Sequence, residues 1–227
     1  MGQADILSQE GEGVRMKING FIFDLDGVIV FTDKYHYKAW KEMADEMGIY
    51  FDEKINNRLR GVSRMESLEI ILENYHGEPL SKEKKLELAT KKNEIYRKLL
   101  ETMTRNDVSD EVRNTLECLH KRGKKLAIGS SSKNAKFILE KVELLDVFDA
   151  ISDGTNISNS KPDPEVFVKA ADFIHLNPDE CAVVEDAYSG IDAAKSGNMC
   201  AIAIGDAANY DKADYKIKNF SEILNIC

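Results

Sequence analysis

The 227-residue chain predicts an α/β fold: a doubly wound, Rossmann-like parallel sheet with a helical cap inserted after its first strand. Three observations predict it. Short apolar runs alternate with helical patterns from residue 109 onward, an unbroken series of helical patterns fills the chain between 33 and 103, and several apolar runs stop at polar residues.

The first run, Phe21-Ile22-Phe23, has no polar alternation, so it reads as a strand buried on both faces. It stops at Asp24-Leu25-Asp26-Gly27. In extended chain the two aspartates face the same way, but Gly27 marks a turning backbone that re-aims the second one. Taken alone, Asp-Leu-Asp-Gly is also an ordinary strand exit. Over 33–48 the residues Tyr37, Trp40, Met43, Ala44 and Met47 recur at helical spacing, and Gly48 stops the pattern. Helical patterns continue over 52–60, 64–75 and 81–103, the last opened by Ser81. No strand is expected between Phe31 and Arg105, so the chain must enter and leave this block close to Asp26 and Asp107.

From there helix and strand alternate. A helix over 109–122, closed by Gly123, leads to the strand 125–129 and then Ser130-Ser131-Ser132. Helices over 134–142, 164–174 and 188–196 separate strand patterns at 147–151, 181–184 and 199–204, and a short helix is expected at 221–226. The resulting division is a leader at 1–15, a core made of 16–31 with 105–227, and a cap over 32–104.

Composition narrows the function. With 43% hydrophobic and 31% charged residues and no apolar run near the ~20 residues of a membrane span, a membrane role is not expected. A net charge of -9 argues against a general nucleic-acid binder, so an anionic ligand would need locally concentrated lysines and arginines. The four cysteines are scattered without CxxC pairing, which indicates neither zinc nor a disulfide framework and fits a reducing cytoplasm. Residues 1–15 lack the apolar core of a secretory signal. A monomer is expected.

If the sheet is parallel, Asp24, Asp26, Ser130, Lys161, Glu185 and Asp186 all lie at one rim, beyond the carboxyl ends of the strands. Several carboxylates, a hydroxyl and a lysine suit magnesium, which takes oxygen ligands and commonly shares them with substrate phosphate. The chemistry favoured is phosphoryl transfer. One aspartate attacks phosphorus, the lysine and Ser130 offset charge on the phosphoryl oxygens, and a second carboxyl moves the proton of the leaving or accepting oxygen.

Phe23-Asp24-Leu25-Asp26-Gly27-Val28, Ser130, Ser160-Lys161-Pro162 and Glu185-Asp186 resemble, in order and spacing, the four motifs of the haloacid-dehalogenase-like phosphotransferases. The match runs over almost the whole chain from Ile18. The resemblance implies that Asp24 is the nucleophile and Asp26 the general acid/base. It also implies that magnesium is held by Asp24, the backbone carbonyl of Asp26, and the pair Glu185 and Asp186.

A finer resemblance is to the family's glucose-phosphate mutases. It rests on His36 and Trp40 in Tyr35-His36-Tyr37-Lys38-Ala39-Trp40, on Arg60-Gly61-Val62-Ser63-Arg64 with Ser67, on Lys92-Asn93, and on Ser130-Ser131-Ser132-Lys133-Asn134. It implies interconversion of β-D-glucose 1-phosphate and glucose 6-phosphate through an aspartyl-phosphate and a bound bisphosphate. Arg64 then grips the phosphate that is not being transferred, His36 and Lys92 help place Asp26 and the sugar, and Ser130 and Asn134 contact phosphate. Thr32, Trp40, Gly61, Val62, Ser67 and Ser132 complete the implied substrate contacts. Phe31 and Ser131 depart from the pattern, Phe31 standing where relatives commonly have another aspartate.

Plainer readings stand beside these. A lone helical histidine such as His36 is usually structural, and Trp40 reads more readily as packing than as a sugar platform. Lys92 sits among Lys82, Lys84, Lys85, Lys91 and Lys98, which read as a solvated face, so only the resemblance singles it out. Arg64 opens a helix, where a cation gains nothing from the helix dipole, and that favours a bound anion. A sugar-phosphate phosphatase of the same fold is the nearest alternative. A phospho-acceptor signalling domain is a second, although such receivers lack both the helical insertion and the second aspartate.

Overall fold

The computed structural model describes residues 17–59 and 62–226; the expected leader 1–15 and Gly61 lie outside them. β1 (Gly20–Phe23) is buried on both faces, as its continuous apolar run requires. Among the described residues four helices follow it: α1 (Asp33–Glu46), α2 (Glu53–Asn57), α3 (Arg64–Leu72) and α4 (Lys82–Leu100). Side chains start three of them, Asp52, Ser63 and Ser81 each accepting a backbone N–H of the first turn. Among the described residues no strand occurs in this block.

The remainder alternates as expected: α5 (Asp110–Lys121), β2 (Lys125–Gly129), α6 (Ala135–Lys141), β3 (Ala150–Ser152), α7 (Glu165–Phe173), β4 (Cys181–Glu185), α8 (Tyr188–Ser196), β5 (Cys200–Ala203) and β6 (Tyr215–Lys216). All the strands run parallel in the order β3-β2-β1-β4-β5-β6. From β1 the chain winds outward through β2 and β3, then returns to β4 on the other side and winds through β5 to β6. The switch point therefore falls between β1 and β4, where the crossover connections diverge and leave a crevice beyond the strand ends.

Alternation along the strands fills two apolar layers. Phe21, Phe23, Leu126, Ile128 and Val184 face α5 and α6, while Ile22, Ala127 and Val183 face Phe167, Ala170 and Ile191 of α7 and α8. The helical block has a third cluster of its own, built on Trp40, Met43, Leu68, Ile71 and Leu88. Its two connections to the sheet meet at Asp107, which lies 3.3 Å from Lys34 Nζ and 3.5 Å from the Tyr35 hydroxyl in the first turn of α1.

Three elements differ from expectation. The strand expected from 147 begins only at Ala150, because Leu145–Val147 form a 3₁₀ turn. β6 has two residues, too few to leave an alternating pattern, and exists because Tyr215 finds Ile202 at the sheet edge. The terminal helix is 3₁₀ rather than α, over Phe220–Asn225, with Glu222 accepting the Asn219 N–H in a tight cap. No helix among the described residues is long and apolar enough to cross a membrane.

Candidate active site

The crevice at the switch point receives one carboxylate from β1 and two from β4. Asp24 is the first residue after β1, and its N–H still donates to the Val184 carbonyl at 3.0 Å, which carries the sheet register into the site. Glu185 ends β4 and Asp186 follows it. Carboxylate oxygens of Asp24, Glu185 and Asp186 all lie within 4.8 Å of one another.

Two glycines make room for them. A Cβ on Gly27, which has φ +88°, would stand 2.0 Å from Asp186 Oδ2, and a Cβ on Gly190 would stand 1.8 Å from Glu185 Oε1. Lys161, from the loop before α7, donates to Asp24 and lies 3.4 Å from Glu185 Oε1. The lysine and aspartate side chains are only 8% and 10% exposed.

Three carboxylates against one ammonium leave two negative charges in a buried space. Burial, then the charge of Asp24, pushes Asp186 up to about 7. Burial also drives Glu185 well upward against the pull of Lys161. Burial lowers Lys161, but the Asp24 and Glu185 charges outweigh it and hold the lysine above its ordinary value. Glu185 Oε2 is buried with no hydrogen-bond partner among the described residues. A cluster whose carboxylates are held up toward their neutral forms for want of positive charge, an oxygen-only donor set and an orphaned carboxylate oxygen fit a hard divalent cation.

Asp26 is set apart from that cluster. The Gly27 N–H closes a turn onto the Val30 carbonyl at 2.7 Å, re-aiming the second aspartate as the glycine predicted. Its carboxyl accepts from the hydroxyl of Thr32, the N-cap position of α1, where the threonine forgoes capping its own helix. The Asp26 side chain is thus not one of the grouped carboxylates. Burial, reinforced by the charge of Asp24, raises Asp26 to about 7.

The helical block brings a second set of ionisable groups near Asp26. Lys92 Nζ lies 2.9 Å from His36 Nδ1, and the His36 ring stacks on Tyr96 with centroids 4.1 Å apart. Lys92 is 3% exposed, with its ammonium 4.6 Å from the Trp40 ring centroid and 4.8 Å from that of Tyr96. Burial, then repulsion from Arg64, lowers Lys92 to about 7, and burial with the Lys92 and Arg64 charges holds His36 well below the ordinary histidine value.

Trp40 is buried in the apolar cluster of the helical block with the Lys92 ammonium over its ring, as the plainer packing reading expects.

Arg64 at the start of α3 donates from Nη2 to Asn93 Oδ1 at 2.8 Å, and Asn134 Nδ2 reaches the same oxygen at 3.2 Å. Ser130 is buried at the end of β2 and its hydroxyl accepts the Ser132 N–H at 3.2 Å; Ser132 in turn accepts the Asn134 N–H. Ser67 is buried on α3, whereas Val62 and Phe31 are exposed.

Sequence reasoning missed Tyr96 and gave Asn93 no role. A signal existed for Tyr96 and Lys92: positions 88, 89, 92, 96 and 100 form one helical stripe, and they are the buried residues of α4. The lysine-rich composition hid that phase. Asn93 carries no comparable signal, because its partners come from α3 and α6.

A parallel switch-point crevice holding an aspartate–lysine pair, a grouped acidic pair and a separate second aspartate defines a phosphotransfer enzyme of the α/β class. Residues 18–198 match the family model described as "Hydrolase: haloacid dehalogenase-like hydrolase", and the chain belongs to that family. It is similar to the Beta-phosphoglucomutase of Bacillus subtilis, 39% identical over 89% of this chain and 90% of that one. The Phosphorylated carbohydrates phosphatase of Thermotoga maritima is 28% identical over 78% of this chain and 81% of its own. Among solved structures, the beta-phosphoglucomutase (pgmB) from Clostridium difficile superposes with a TM-score of 0.82 at 39% identity, covering 91% of this chain and 93% of that one.

Proposed function

We propose that this enzyme is a β-phosphoglucomutase that interconverts β-D-glucose 1-phosphate and D-glucose 6-phosphate in the cytoplasm as a monomer. The observation that carries the reading is the different company of the two aspartates. Asp24 is paired with Lys161 in the acidic crevice, and Asp26 is turned out of it onto Thr32 beneath the cap. The likeness to the Bacillus subtilis mutase supports the choice of substrate.

In this reading Asp24, carrying a phosphoryl group from the priming bisphosphate, passes it to the free 6-hydroxyl of β-glucose 1-phosphate: the hydroxyl oxygen attacks phosphorus, the Asp24 O–P bond breaks, and Asp26 as carboxylate takes the hydroxyl proton. The bisphosphate so formed reorients. The freed Asp24 carboxylate attacks its other phosphorus, the bond to the sugar oxygen at carbon 1 breaks, and Asp26 in its acid form gives that oxygen the proton, releasing glucose 6-phosphate and restoring the aspartyl-phosphate. Lys161 and the Ser130 hydroxyl bind the transferring phosphoryl oxygens. Asp24, Glu185, Asp186 and the backbone carbonyl of Asp26 would hold magnesium, which supplies positive charge to the phosphoryl group when bound.

The cap, 32–104, is a separate domain on the core of 16–31 and 105–227, and its closure keeps water from the phosphoenzyme. Within it His36 and Lys92 orient Asp26 and the sugar. Arg64, with Asn134 and Ser132 of the core, holds the phosphate that is not being transferred, since a guanidinium fork accepts either end of a bisphosphate. Ser67, Thr32 and Val62 line the sugar path.

Incubation with β-glucose 1-phosphate, magnesium and a trace of the bisphosphate tests this. The expected product is glucose 6-phosphate with little free phosphate; stoichiometric phosphate release identifies a sugar-phosphate phosphatase instead.

A further inference from the structure

Asn93 is the point at which cap and core share one atom. An arginine has only donors, so the Asn93 atom facing Arg64 Nη2 at 2.8 Å is the amide oxygen, and the Asn134 atom reaching it at 3.2 Å must be a nitrogen. A single carbonyl thus accepts from α3 in the cap and from the N-cap residue of α6 in the core. Asn134 stands at the N-cap position of α6, where an asparagine ordinarily accepts an N–H of its own helix; its side chain makes no such cap and is spent on Asn93. The backbone at Asn134 is tied through Ser132 to Ser130. Asn93 therefore sets the distance between Arg64 and the Ser130–Asn134 turn.

Its neighbour in sequence faces a different partner. Lys92 turns to His36 on α1, and Asn93 turns to Arg64 and Asn134. Two consecutive residues of α4 thereby contact different elements, α1 through Lys92 and α3 with the N-cap of α6 through Asn93.

We propose that Asn93 is a positioning residue for phosphate recognition: its carbonyl holds the Arg64 guanidinium in register with Asn134, so that a phosphate monoester meets both donors already aligned. The proposal rests on the mutase reading only for the identity of the sugar phosphate. A positioning role costs binding in both ground and transition states, so it moves KM and leaves kcat.

The test has two arms. In isomerisation assays, Asn93→Ala and the near-isosteric Asn93→Leu should each raise KM for the glucose phosphate about tenfold, the fold-change of one lost charge-assisted hydrogen bond, with kcat within about twofold of wild type. In the second arm, calorimetry measures glucose 6-phosphate binding to full-length protein carrying Asp24→Asn, which blocks turnover. There Asn93→Ala should weaken binding about tenfold, but less than about twofold once Arg64→Ala is present, because the two share one interaction.

Equal affinities with and without Asn93, or effects of Asn93→Ala and Arg64→Ala that simply multiply, would overturn the proposal. A wild-type enzyme that binds glucose 6-phosphate yet isomerises nothing defeats the mutase reading, while the binding arm still judges Asn93. A parent protein that binds no glucose 6-phosphate defeats both.

Discussion

Lys92 and His36 meet as amine and imidazole, Nζ to Nδ1 at 2.9 Å, with no carboxylate in that contact. When the amine is an ammonium it can only donate, so Nδ1 is the acceptor and the ring carries its hydrogen on Nε2. Arg64 adds a third basic group nearby, while Asp26 pulls the other way on the lysine. The faces of Trp40 and Tyr96 give the buried ammonium its remaining attraction.

This arrangement makes stability depend on pH. The Lys92 value falls from 10.5 in the unfolded chain to about 7 in the fold. Below 7 both states carry the charge, and the folded state bears the full cost of burying it. Between 7 and 10.5 only the unfolded state holds the proton, so the cost diminishes as pH rises. Lys92→Met should therefore stabilise the protein most at pH 6 and progressively less towards pH 10, while lowering turnover; urea unfolding across that range measures the trend.

The aspartates should separate on substitution. Asp24→Asn is expected to reduce turnover by roughly 10⁴–10⁶-fold, as loss of a nucleophile does. Asp26→Asn should keep the fold and still accept a phosphoryl group from a donor with a good leaving group, such as acetyl phosphate, yet lose about 10²–10⁴-fold in transfer to sugar. Phosphoenzyme trapping beside the coupled isomerase assay reads both, and wild-type rates in either variant would remove the division of roles.

Gly27 supports Asp186 by having no side chain. Gly27→Ala should destabilise by about 1–3 kcal/mol, through positive φ and the collision with the carboxylate, and should weaken magnesium activation. Gly123→Ala is the control: φ is +73° there but nothing stands within 4 Å of the added carbon, so only about 1 kcal/mol of backbone strain is expected, with activity retained. Denaturation curves and magnesium titrations distinguish the two.

Metal removal gives a fourth outcome. EDTA should abolish turnover, and returning magnesium should restore it. Magnesium at about 100 times its dissociation constant should also stabilise the fold by about 2.7 kcal/mol, since it binds the folded state alone. Asp186→Asn should lose most of that thermal shift, and an unchanged shift in this variant would remove Asp186 from the ligand set.

The sequence by itself determined the parallel sheet, the helical insertion and the rim where Asp24, Lys161, Glu185 and Asp186 gather. Each is written in local pattern: a continuous apolar run means burial on both faces, and the end of such a run in a parallel sheet means the crevice. The turn at Gly27 that sends Asp26 elsewhere was legible for the same reason. The burial of Lys92 was encoded in the stripe 88, 89, 92, 96, but its partner was not, because His36 lies 56 residues away.

Only the tertiary structure decided that Trp40 lies under Lys92, that Tyr96 stacks on His36, and that one oxygen of Asn93 joins cap to core. Those contacts depend on the angle at which separate helices cross, and spacing along a single helix carries no information about that angle.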